Sequence, residues 1–431
     1  MVNRMKFQPP KGTRDFLPEE AVELQKIIDL FRATAEKYGF EPLITPAFES
    51  FELLAAKGGL GEAVKDEIYY FKDKSDRELG LRFDLTMPLA RIIASNPQIP
   101  KPFKRYAIDK VWRYDNPQAL RYREFWQGDI DIVGASGLDA DAEVIAIICE
   151  VLKELGFDDF KIRISDRRLI QEFLKETMSI KNWMDITTSL DKKDKIGEEK
   201  VKDELKLKGL DDKQIRQIFD FLMGDITFVG SEKFKDTLDA DLKNLIEKVG
   251  EYGFGKYIEK DLFLVRGLEY YTSFVFEVTL GAKVSCGGGG RYDNLIKLVG
   301  DQDLPATGIS LGLDRIFEIM KEKKMFDLPK TKLEVFVANT DAEVKNETLS
   351  IVQNLRSNNI ICQMDLMGRN LAKQLDYADK CGFDYVVIVG KEEIKKKKFK
   401  LKDMKKRSEK TMSLKQIKDF LTRNTCRKSK I

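Results

Sequence analysis

The sequence predicts an α+β body that carries a helical insertion and is followed by a C-terminal α/β domain. Strand-like segments separated by loops and helices occupy both ends of the first 328 residues. The stretch 166–262 has few such segments and instead carries Lys, Asp, Glu, Leu and Ile at helical spacing. After residue 330, strand and helix patterns alternate, which is typical of a mostly parallel sheet.

The composition indicates a multidomain cytoplasmic protein. A chain of 431 residues usually forms two or three domains, and its apolar fraction of 42% suffices for an ordinary core. It has no run of 18 apolar residues and no apolar signal segment, so we expect no membrane span and a cytoplasmic location. The five cysteines are scattered, which favours reduced thiols over disulfides.

The sequence contains no histidine. This excludes a Ser-His-Asp triad, a Cys-His pair and an HExxH zinc site. Any proton transfer must therefore use carboxylates, Lys, Tyr, water or the substrate itself.

Positive charge is concentrated at the C-terminal end. Residues 331–431 hold 23 Lys and Arg against 13 Asp and Glu, whereas the net charge of the whole chain is only +3. A basic domain beside an acidic body favours an anionic partner such as nucleic acid. A Lys-rich solvated surface explains the charge equally well.

Each element of the body has its own signal. Apolar residues at a spacing of three to four predict helices over 18–38 and 140–155, each followed by glycine. A strand-like segment lies around 42–48. Two longer strands, 105–114 and 121–133, flank a loop at 115–120.

The insertion is predicted to be helical, for example over 212–223 and 237–249, and strands return near its end. The predicted strands are 261–265, 271–280 and 283–285, and a helix follows at 310–322.

The C-terminal alternation implies right-handed crossovers between parallel strands. No dinucleotide-binding GxGxxG or P-loop motif opens any of its helices. The Lys-rich segment 391–410 is predicted to be a β-ribbon or a loop. The predicted strands are 333–338, 360–365 and 385–389, and the predicted helices are 342–357 and 370–381.

Three segments of the body place Arg beside aromatic residues or Gly, at 111–127, 264–271 and 308–315. The planar guanidinium donates hydrogen bonds in pairs and stays charged, so several of them suit a polyphosphate. For any one arginine taken alone, a surface ion pair is the simpler explanation.

The order and spacing of these segments resemble the signature motifs of class II aminoacyl-tRNA synthetases. Residues 37–49 resemble motif 1, the strand–loop–strand from Arg113 to Phe125 resembles motif 2, and 308–315 resemble motif 3. Other segments are similar to the histidyl-tRNA synthetase family in particular. These are 9–15, 81–86, 264–271 and 286–293. The segment 81–86 resembles the amino-acid-binding strand of that family.

The resemblance implies a domain organisation and a homodimer with its interface at motif 1. The implied parts are a class II catalytic core at 1–165 and 263–328 with a mostly antiparallel sheet, a helical insertion at 166–262, and an anticodon-binding α/β domain at 331–431.

The resemblance also implies two catalytic arginines. Arg113 would grip the α-phosphate of ATP, and Arg266 would act from the opposite side, because a preorganised cation stabilises charge that develops in the transition state. Mg²⁺ would be held mainly by the ATP phosphates and water, without a dedicated protein metal site. The implied ATP-binding residues are Arg113, Asp115, Arg121, Phe125 and Arg315.

Within that set, Phe125 would stack under the adenine and Arg315 would cover its other face. Arg121, with Arg123 beside it, would reach the distal phosphates.

The implied substrate is L-histidine. Asp84, Thr86 and Gln127 suit its α-ammonium group, and Asp131 and Tyr271 can hydrogen-bond the imidazole nitrogens. A substrate that leaves such groups without partners can be rejected by roughly 10⁴-fold. The implied amino-acid-binding residues are Asp84, Leu85, Thr86, Arg113, Gln127, Asp131, Arg266, Tyr270 and Tyr271.

Alternatives remain for some of these residues. Tyr270 can be a packing residue and Thr86 a plain strand residue. Residues 287–290 form either a tight turn or a wall of the amino-acid pocket, and the resemblance favours the wall. Asp84 and Asp131 stand where bacterial members carry Glu, which favours the archaeal or eukaryotic branch.

The implied partner is the tRNA for histidine. The loop 115–120 would meet its acceptor end, and Gln118 would contact the extra 5′ nucleotide. The basic domain would grip the anticodon stem and loop through phosphates and splayed bases.

Three other functions are compatible with parts of the pattern. They are a regulatory subunit of ATP phosphoribosyltransferase, a tRNA sensor that does not charge its tRNA, and another class II synthetase. The arginines and the basic domain disfavour the first, the lack of room for an effector domain disfavours the second, and the two histidyl blocks disfavour the third.

Overall fold

The computed structural model describes residues 7–56, 65–117, 120–223, 232–265, 270–281, 284–326 and 334–428. The chain forms two compact units, Met1–Met325 and Phe326–Ile431, which are described separately. In the described part of the chain, no helix is long and apolar enough to cross a membrane.

The first unit is built on an eight-stranded sheet in the order β1-β5-β6-β11-β10-β9-β7-β8. The two outermost pairs, β1 with β5 and β7 with β8, are parallel, and all the pairs between them are antiparallel. The strands are β1 Glu41–Pro42, β5 Phe103–Trp112, β6 Glu124–Val133, β7 Phe160–Asp166, β8 Ile258–Lys260, β9 Phe274–Leu280, β10 Val284–Arg291 and β11 Ala306–Gly312.

A small antiparallel sheet, in the order β2-β4-β3, lies beside the large one. Its strands are β2 Phe48–Ser50, β3 Tyr70–Lys72 and β4 Glu78–Leu81.

The helices of the first unit fall into two groups, those of the core and those of the insertion. Those of the core are α1 Pro18–Lys37, α2 Phe51–Ala56, α3 Thr86–Ser95, α4 Leu138–Glu154, α11 Leu295–Val299 and α12 Leu313–Glu322. Those of the insertion are α5 Arg167–Glu172, α6 Trp183–Leu190, α7 Lys193–Ile196, α8 Glu198–Leu207, α9 Asp212–Leu222 and α10 Glu232–Glu251.

The helix α1 shows how the apolar pattern becomes packing. Ile27 and Phe31 are fully buried on its inner face. The Phe31 ring lies over Gly128 of β6, where a Cβ would approach the ring within 3.0 Å. Glycine therefore allows the helix to come close to the strand that carries much of the candidate site.

The insertion leaves and rejoins the large sheet at neighbouring strands. It follows β7 and returns through β8, and these two strands pair in parallel. Between them the described residues are mainly helical, including a π-helical turn at Phe173–Thr177 and a 3₁₀ turn at Gly255–Tyr257. The insertion is thereby anchored to the edge of the core sheet.

The second unit is a five-stranded sheet in the order β13-β12-β14-β15-β16. The first three strands are parallel and the last two add an antiparallel ribbon. The elements are β12 Glu334–Asn339, α13 Lys345–Arg356, β13 Ile361–Met364, α14 Leu371–Lys380, β14 Tyr385–Val389, α15 Lys391–Lys396, β15 Phe399–Asp403, β16 Ser408–Met412 and α16 Leu414–Lys428.

Alternate residues of β12 face opposite cores, as expected for a strand covered on both sides. Val335 and Val337 pack with Leu355 of α13 and Leu421 of α16. Phe336 packs on the other face with residues that include Ala378 of α14.

The predicted fold class is confirmed, but several boundaries were wrong. The segment 42–48 is not one strand, because only its ends pair, and Pro46 lacks the amide hydrogen that a ladder needs. Residues 261–265 form no strand. The helix expected from 310 begins at Leu313, because residues 306–312 form β11.

Two further expectations and one alternative need correction. The segment 81–86 is not a strand throughout, because β4 ends at Leu81 and Thr86 is the first residue of α3. The Lys-rich segment 391–410 begins with the helix α15 before the predicted ribbon. The glycines at 287–290 are not a turn, because they lie in β10, paired on both sides.

Candidate active site

A cleft of about 1060 Å³ opens in the first unit above β6, β10 and β11. Most of the residues predicted from the sequence line it together. They are Asp84, Thr86, Arg113, Asp115, Arg121, Phe125, Gln127, Asp131, Tyr270, Tyr271 and Arg315.

Four predicted residues are not part of this lining. The Nε of Arg123 donates instead to the backbone carbonyl oxygen of Asp115 at 3.0 Å. Leu85 is buried beneath the cleft, where its carbonyl oxygen accepts a hydrogen bond from Arg105. Arg266 and Gln118 lie outside the described residues.

Arg113 follows β5 and enters the cleft with its guanidinium held on one side only. Its Nε donates to the carbonyl oxygen of Phe83 at 3.1 Å, and its guanidinium carbon lies 5.3 Å from the centre of the Phe125 ring. The residue is exposed. One backbone hydrogen bond and one ring contact orient the cation while leaving it accessible to an anion.

Arg121 is held by an exchangeable partner. Its Nε and Nη2 donate to one carboxylate oxygen of Asp115 at 3.0 and 2.7 Å. Both side chains are substantially exposed, and exposed ion pairs contribute only about 0–1 kcal/mol. A phosphate could therefore replace Asp115 at little cost.

Arg315 joins the two sides of the cleft. Its Nε and Nη2 donate to the carbonyl oxygen of Leu120 at 3.1 and 3.0 Å, and its Nη1 donates to the carbonyl oxygen of Ser285 on β10. The arginine thus links the end of the loop before β6 to the strand of glycines.

Asp84 caps the helix α3. One of its oxygens accepts the backbone N–H groups of Thr86 and Met87, at 3.1 and 3.0 Å. These bonds fix a buried carboxylate at the cleft wall. Such a carboxylate suits an ammonium group.

Gln127 offers a second polar group. It is 6% exposed, and its side-chain oxygen has no hydrogen-bond partner among the described residues. A buried amide oxygen without a partner is costly unless a ligand or water satisfies it. We therefore expect the side-chain oxygen of Gln127 to accept a hydrogen bond from a bound molecule.

Asp131 is the centre of a buried network. Its Oδ2 lies 2.8 Å from Nη2 of Arg105, and its Oδ1 accepts a hydrogen bond from the Tyr292 hydroxyl. All three residues are at least 95% buried. Burial raises the pKa of Tyr292, so its hydroxyl stays protonated and remains a donor.

Asp129, which the sequence did not single out, lies two residues from Asp131 and 1% exposed. Its pKa is raised to about 7, mainly by burial and further by the charge of Asp131, although Arg105 opposes the shift. The pattern Gln127-x-Asp129-x-Asp131 could have revealed it, because alternate residues share one face of a strand.

Tyr270 and Tyr271 line the cleft beside this network. Their ring centres are 4.2 Å apart, and the ring of Tyr292 lies 6.2 Å from that of Tyr270. The buried guanidinium of Arg167, the first residue of α5, donates to the backbone carbonyl of Tyr271. The insertion therefore holds the backbone of a pocket residue.

The glycines of β10 and β11 provide a floor without side chains. In the sheet register Gly308 lies opposite Asp131, and a Cβ there would lie 2.7 Å from the Asp131 carboxyl carbon. At Gly289 a Cβ would lie 2.6 Å from the Cα of Ile309. No other residue fits these positions without movement, so the floor is backbone.

Arg14 of the N-terminal segment contacts two residues of the cleft lining, Asp314 and Tyr122. Arg14 donates to Asp314 at 3.2 Å and lies 4.4 Å from the centre of the Tyr122 ring. Asp314 also accepts the backbone N–H of Trp126, and burial raises its pKa. These contacts fasten β6 to α12, and so fix the positions of Phe125 and Arg315.

The insertion also reaches the cleft. Thr188 of α6 and Asp191 just after it contribute to the lining. No local sequence pattern predicts this contact, because it depends on how the insertion packs.

This arrangement combines accessible cations on one side with a buried, acidic, tyrosine-rich pocket on the other. The cations suit phosphate groups. The acidic pocket suits a small ligand with several N–H donors. Such a cleft can hold an amino acid against the phosphates of a nucleotide.

Comparison with known proteins agrees with this geometry. The histidyl-tRNA synthetase family matches residues 12–316, and the anticodon binding domain matches 334–424. Histidine–tRNA ligase from Thermococcus kodakarensis is 37% identical over 417 residues, covering 93% of this chain and 95% of the relative. The corresponding ligase from Pyrococcus horikoshii is 35% identical over 422 residues, covering 95% and 97%.

A solved structure is similar throughout. The histidyl-tRNA synthetase from Nostoc sp. PCC 7120 superposes with a TM-score of 0.80 and 31% identity, covering 98% of this chain and 100% of that one. Family match, relatives and fold agree over nearly the full length, and the chain therefore belongs to the histidyl-tRNA synthetase family.

Proposed function

We propose that this protein is a histidine–tRNA ligase that uses ATP to activate L-histidine and then transfers the histidyl group to the 3′ end of its tRNA. The observation that carries the proposal is the buried Arg105–Asp131–Tyr292 network beside a cleft that contains Arg113 and Arg315. The acidic residues of this network would suit an imidazole ring, and the nearby cations would suit the phosphates of ATP.

In the first step, a carboxylate oxygen of histidine attacks the α-phosphorus of ATP. The bond between that phosphorus and the bridging oxygen breaks, and pyrophosphate leaves. Arg113 is accessible in the cleft and would stabilise the charge on the α-phosphate. By resemblance, Arg266 would act from the opposite side.

The nucleotide would lie along β6. Phe125 and Arg315 both line the cleft, which supports a site for the adenine between them: Phe125 would stack under the ring and Arg315 would cover its other face. Arg121 would exchange Asp115 for the distal phosphates.

Mg²⁺ would arrive with ATP and be held mainly by phosphate oxygens and water. The donor chemistry of the cleft fits this role, because its carboxylates include Asp115, one of the predicted ATP-binding residues.

Selection of histidine rests on hydrogen bonds that other amino acids cannot complete. Asp131 accepts from one ring nitrogen, and Tyr271 faces the other. Asp84, Thr86 and Gln127 receive the α-ammonium group. An amino acid without the imidazole donors would not supply the hydrogen bond that the ring gives to Asp131, and a hydrogen bond to a charged group contributes about 1.5–3 kcal/mol.

In the second step, a terminal ribose hydroxyl of the tRNA attacks the carbonyl carbon of the adenylate, and AMP leaves. A phosphate oxygen of the adenylate would accept the hydroxyl proton. Neither step requires a histidine side chain, in keeping with a chain that contains none.

The tRNA would bind both units. The basic second unit would grip the anticodon stem and loop, since phosphate contacts by Lys and Arg supply most of the affinity for nucleic acid. Gln118 would meet the acceptor end. The family resemblance also supports a homodimer with its interface near residues 37–49.

The experiment that tests the proposal is ATP–pyrophosphate exchange with each of the twenty amino acids. Exchange with histidine alone is expected. Exchange with a different amino acid would favour another synthetase, and no exchange by a folded protein that binds histidine would favour a non-catalytic relative.

A further inference from the structure

Two buried carboxylates share one guanidinium beneath the cleft. Asp129 and Asp131 alternate along β6 on the face that also carries Gln127, and they are 1% and 2% exposed. Arg105, which is fully buried, is the cross-strand partner of Asp131 on β5. If both carboxylates are ionised, this trio has a net negative charge.

The geometry assigns Arg105 to Asp131 rather than to Asp129. The distance from Nη2 is 2.8 Å to Asp131 and 3.9 Å to Asp129. The same nitrogen donates to the carbonyl oxygen of Leu85 at 2.9 Å. Coulomb attraction weakens with distance, so Arg105 neutralises Asp131 first and leaves Asp129 with the excess charge.

Other groups around Asp129 do not remove this excess. Neither of its oxygens meets hydrogen-bond geometry among the described residues, although Ser310 on β11 lies close enough to lower the pKa. Asp84 adds further negative charge. The charged groups that act on Asp129 are Arg105, Asp131 and Asp84. The groups that act on Tyr270, besides Asp129 itself, are Tyr271, Asp84 and Arg113.

We propose that Asp129 makes the imidazole pocket a proton-holding site, so that the histidine complex retains one proton shared between Asp129 and the imidazole ring. Asp129 acts as a positioning residue, because Asp131 and not Asp129 lines the cleft. The inference rests on the proposed function, since it assumes that the ring binds beside Asp131.

The physical reason is charge balance in a buried site. An ionised Asp129 next to a neutral ring would leave one net negative charge away from water, which is costly. A proton on either group restores neutrality. The two groups compete for it on nearly equal terms, because the pKa of Asp129 is about 7 and that of free imidazole is about 6.5.

The proposal sets the number of protons exchanged on binding. At pH 8 the empty pocket and free ring together hold roughly 0.1 proton, so a complex with one proton takes up roughly 0.9. At pH 6 they hold roughly 1.7 protons, and binding releases roughly 0.7. Binding therefore changes from proton release to proton uptake as the pH rises.

The test is isothermal titration of histidine into the full-length protein at pH 6 and pH 8, each in two buffers of different ionisation enthalpy. The wild-type protein is expected to show the change of sign. Asp129→Asn removes the charge with little change in shape and is expected to show no uptake at pH 8. Asp376→Asn, in an exposed i,i+4 pair, is the matched control and should behave as wild type.

Histidine binding without proton uptake by the wild-type protein at pH 8 would overturn the proposal, and so would equal uptake by Asp129→Asn. The wild-type measurement decides the question even if Asp129→Asn does not fold. Failure of the proposed function is distinguishable, because it would appear as no histidine-dependent ATP–pyrophosphate exchange, or as no binding heat with histidine at either pH.

Discussion

Nη2 of Arg105 lies 2.8 Å from Oδ2 of Asp131, and the two residues are directly opposite each other in the antiparallel pairing of β5 and β6. Neither residue is exposed by more than 2%. The charged wall of the candidate histidine pocket is therefore held by the backbone pairing of the central sheet. Preorganisation of this kind avoids the cost of ordering the site on binding.

Removing the cation from this pair should destabilise the fold. Arg105→Met would leave Asp131 and Asp129 buried without a counter-charge, and breaking a buried pair in this way costs about 3–5 kcal/mol. Urea unfolding should show the loss. The double variant Arg105→Met/Asp131→Asn should recover part of it, and equal stability of the wild type and Arg105→Met would contradict the assignment.

A methyl group at Gly308 should close the imidazole pocket. The added Cβ would lie 2.7 Å from the Asp131 carboxyl carbon and 2.9 Å from the carbonyl oxygen of Ile130. We expect Gly308→Ala to raise the KM for histidine at least about tenfold, since one hydrogen bond to a charged group contributes about 1.5–3 kcal/mol.

Gly250→Ala is the matched control for that substitution. Gly250 lies in α10, and a Cβ there meets no atom within 4 Å. This variant should keep the wild-type KM and gain up to about 1 kcal/mol of stability, because Ala is the better helix former. Similar KM values for the two glycine variants would refute the placement of the ring.

Arg113 should be essential for activation but not for folding. Arg113→Ala is expected to lower histidine-dependent ATP–pyrophosphate exchange by about 10²–10³-fold, the effect of removing one preorganised donor to transition-state charge. Arg266→Ala should behave in the same way. The control is Arg77→Ala, which removes an ion pair with Asp73 and should leave exchange unchanged. A loss of exchange in Arg77→Ala as large as that in Arg113→Ala would contradict the role of Arg113.

The stability of the protein should depend on pH through Asp129. Its folded pKa of about 7 exceeds the ordinary value of 3.8, so between these values the folded state binds more protons than the unfolded state. The contribution of Asp129 to the free energy of unfolding is therefore fully present below pH 4. It is lost as the pH rises to 7, by on the order of 1 kcal/mol per pH unit. Asp129→Asn should remove this pH dependence, as measured by urea unfolding from pH 4 to pH 8. Equal pH dependence of the unfolding free energy in the wild type and Asp129→Asn would contradict this role of Asp129.

Local signals in the sequence predicted much of the fold. The helices α1 and α4 and the strands β5, β6, β12 and β14 were expected within a few residues, because each has a clear apolar period or alternation. The boundaries failed where the signal was ambiguous. The sequence of 306–312 is compatible with the start of a helix and with a strand. Its pairing between β6 and β10 makes it a strand.

The site was predicted less completely, for a different physical reason. Arg113, Asp131 and Arg315 were found because their motifs are local. Arg105 and Tyr292 were missed because their roles depend on which strands become neighbours and on burial. Charged residues are also rarely fully buried, so a sequence pattern does not lead one to expect an arginine and two aspartates in the core.

Aminoacylation tests the central claim most directly. The full-length protein is incubated with ATP, labelled histidine and a transcript of the histidine tRNA, and acid-precipitable label is counted. Histidyl-tRNA should form with the wild-type chain and fall to background with Arg113→Ala. A folded wild-type chain that charges the tRNA with another amino acid, or that binds histidine and ATP without charging, would contradict the proposed function.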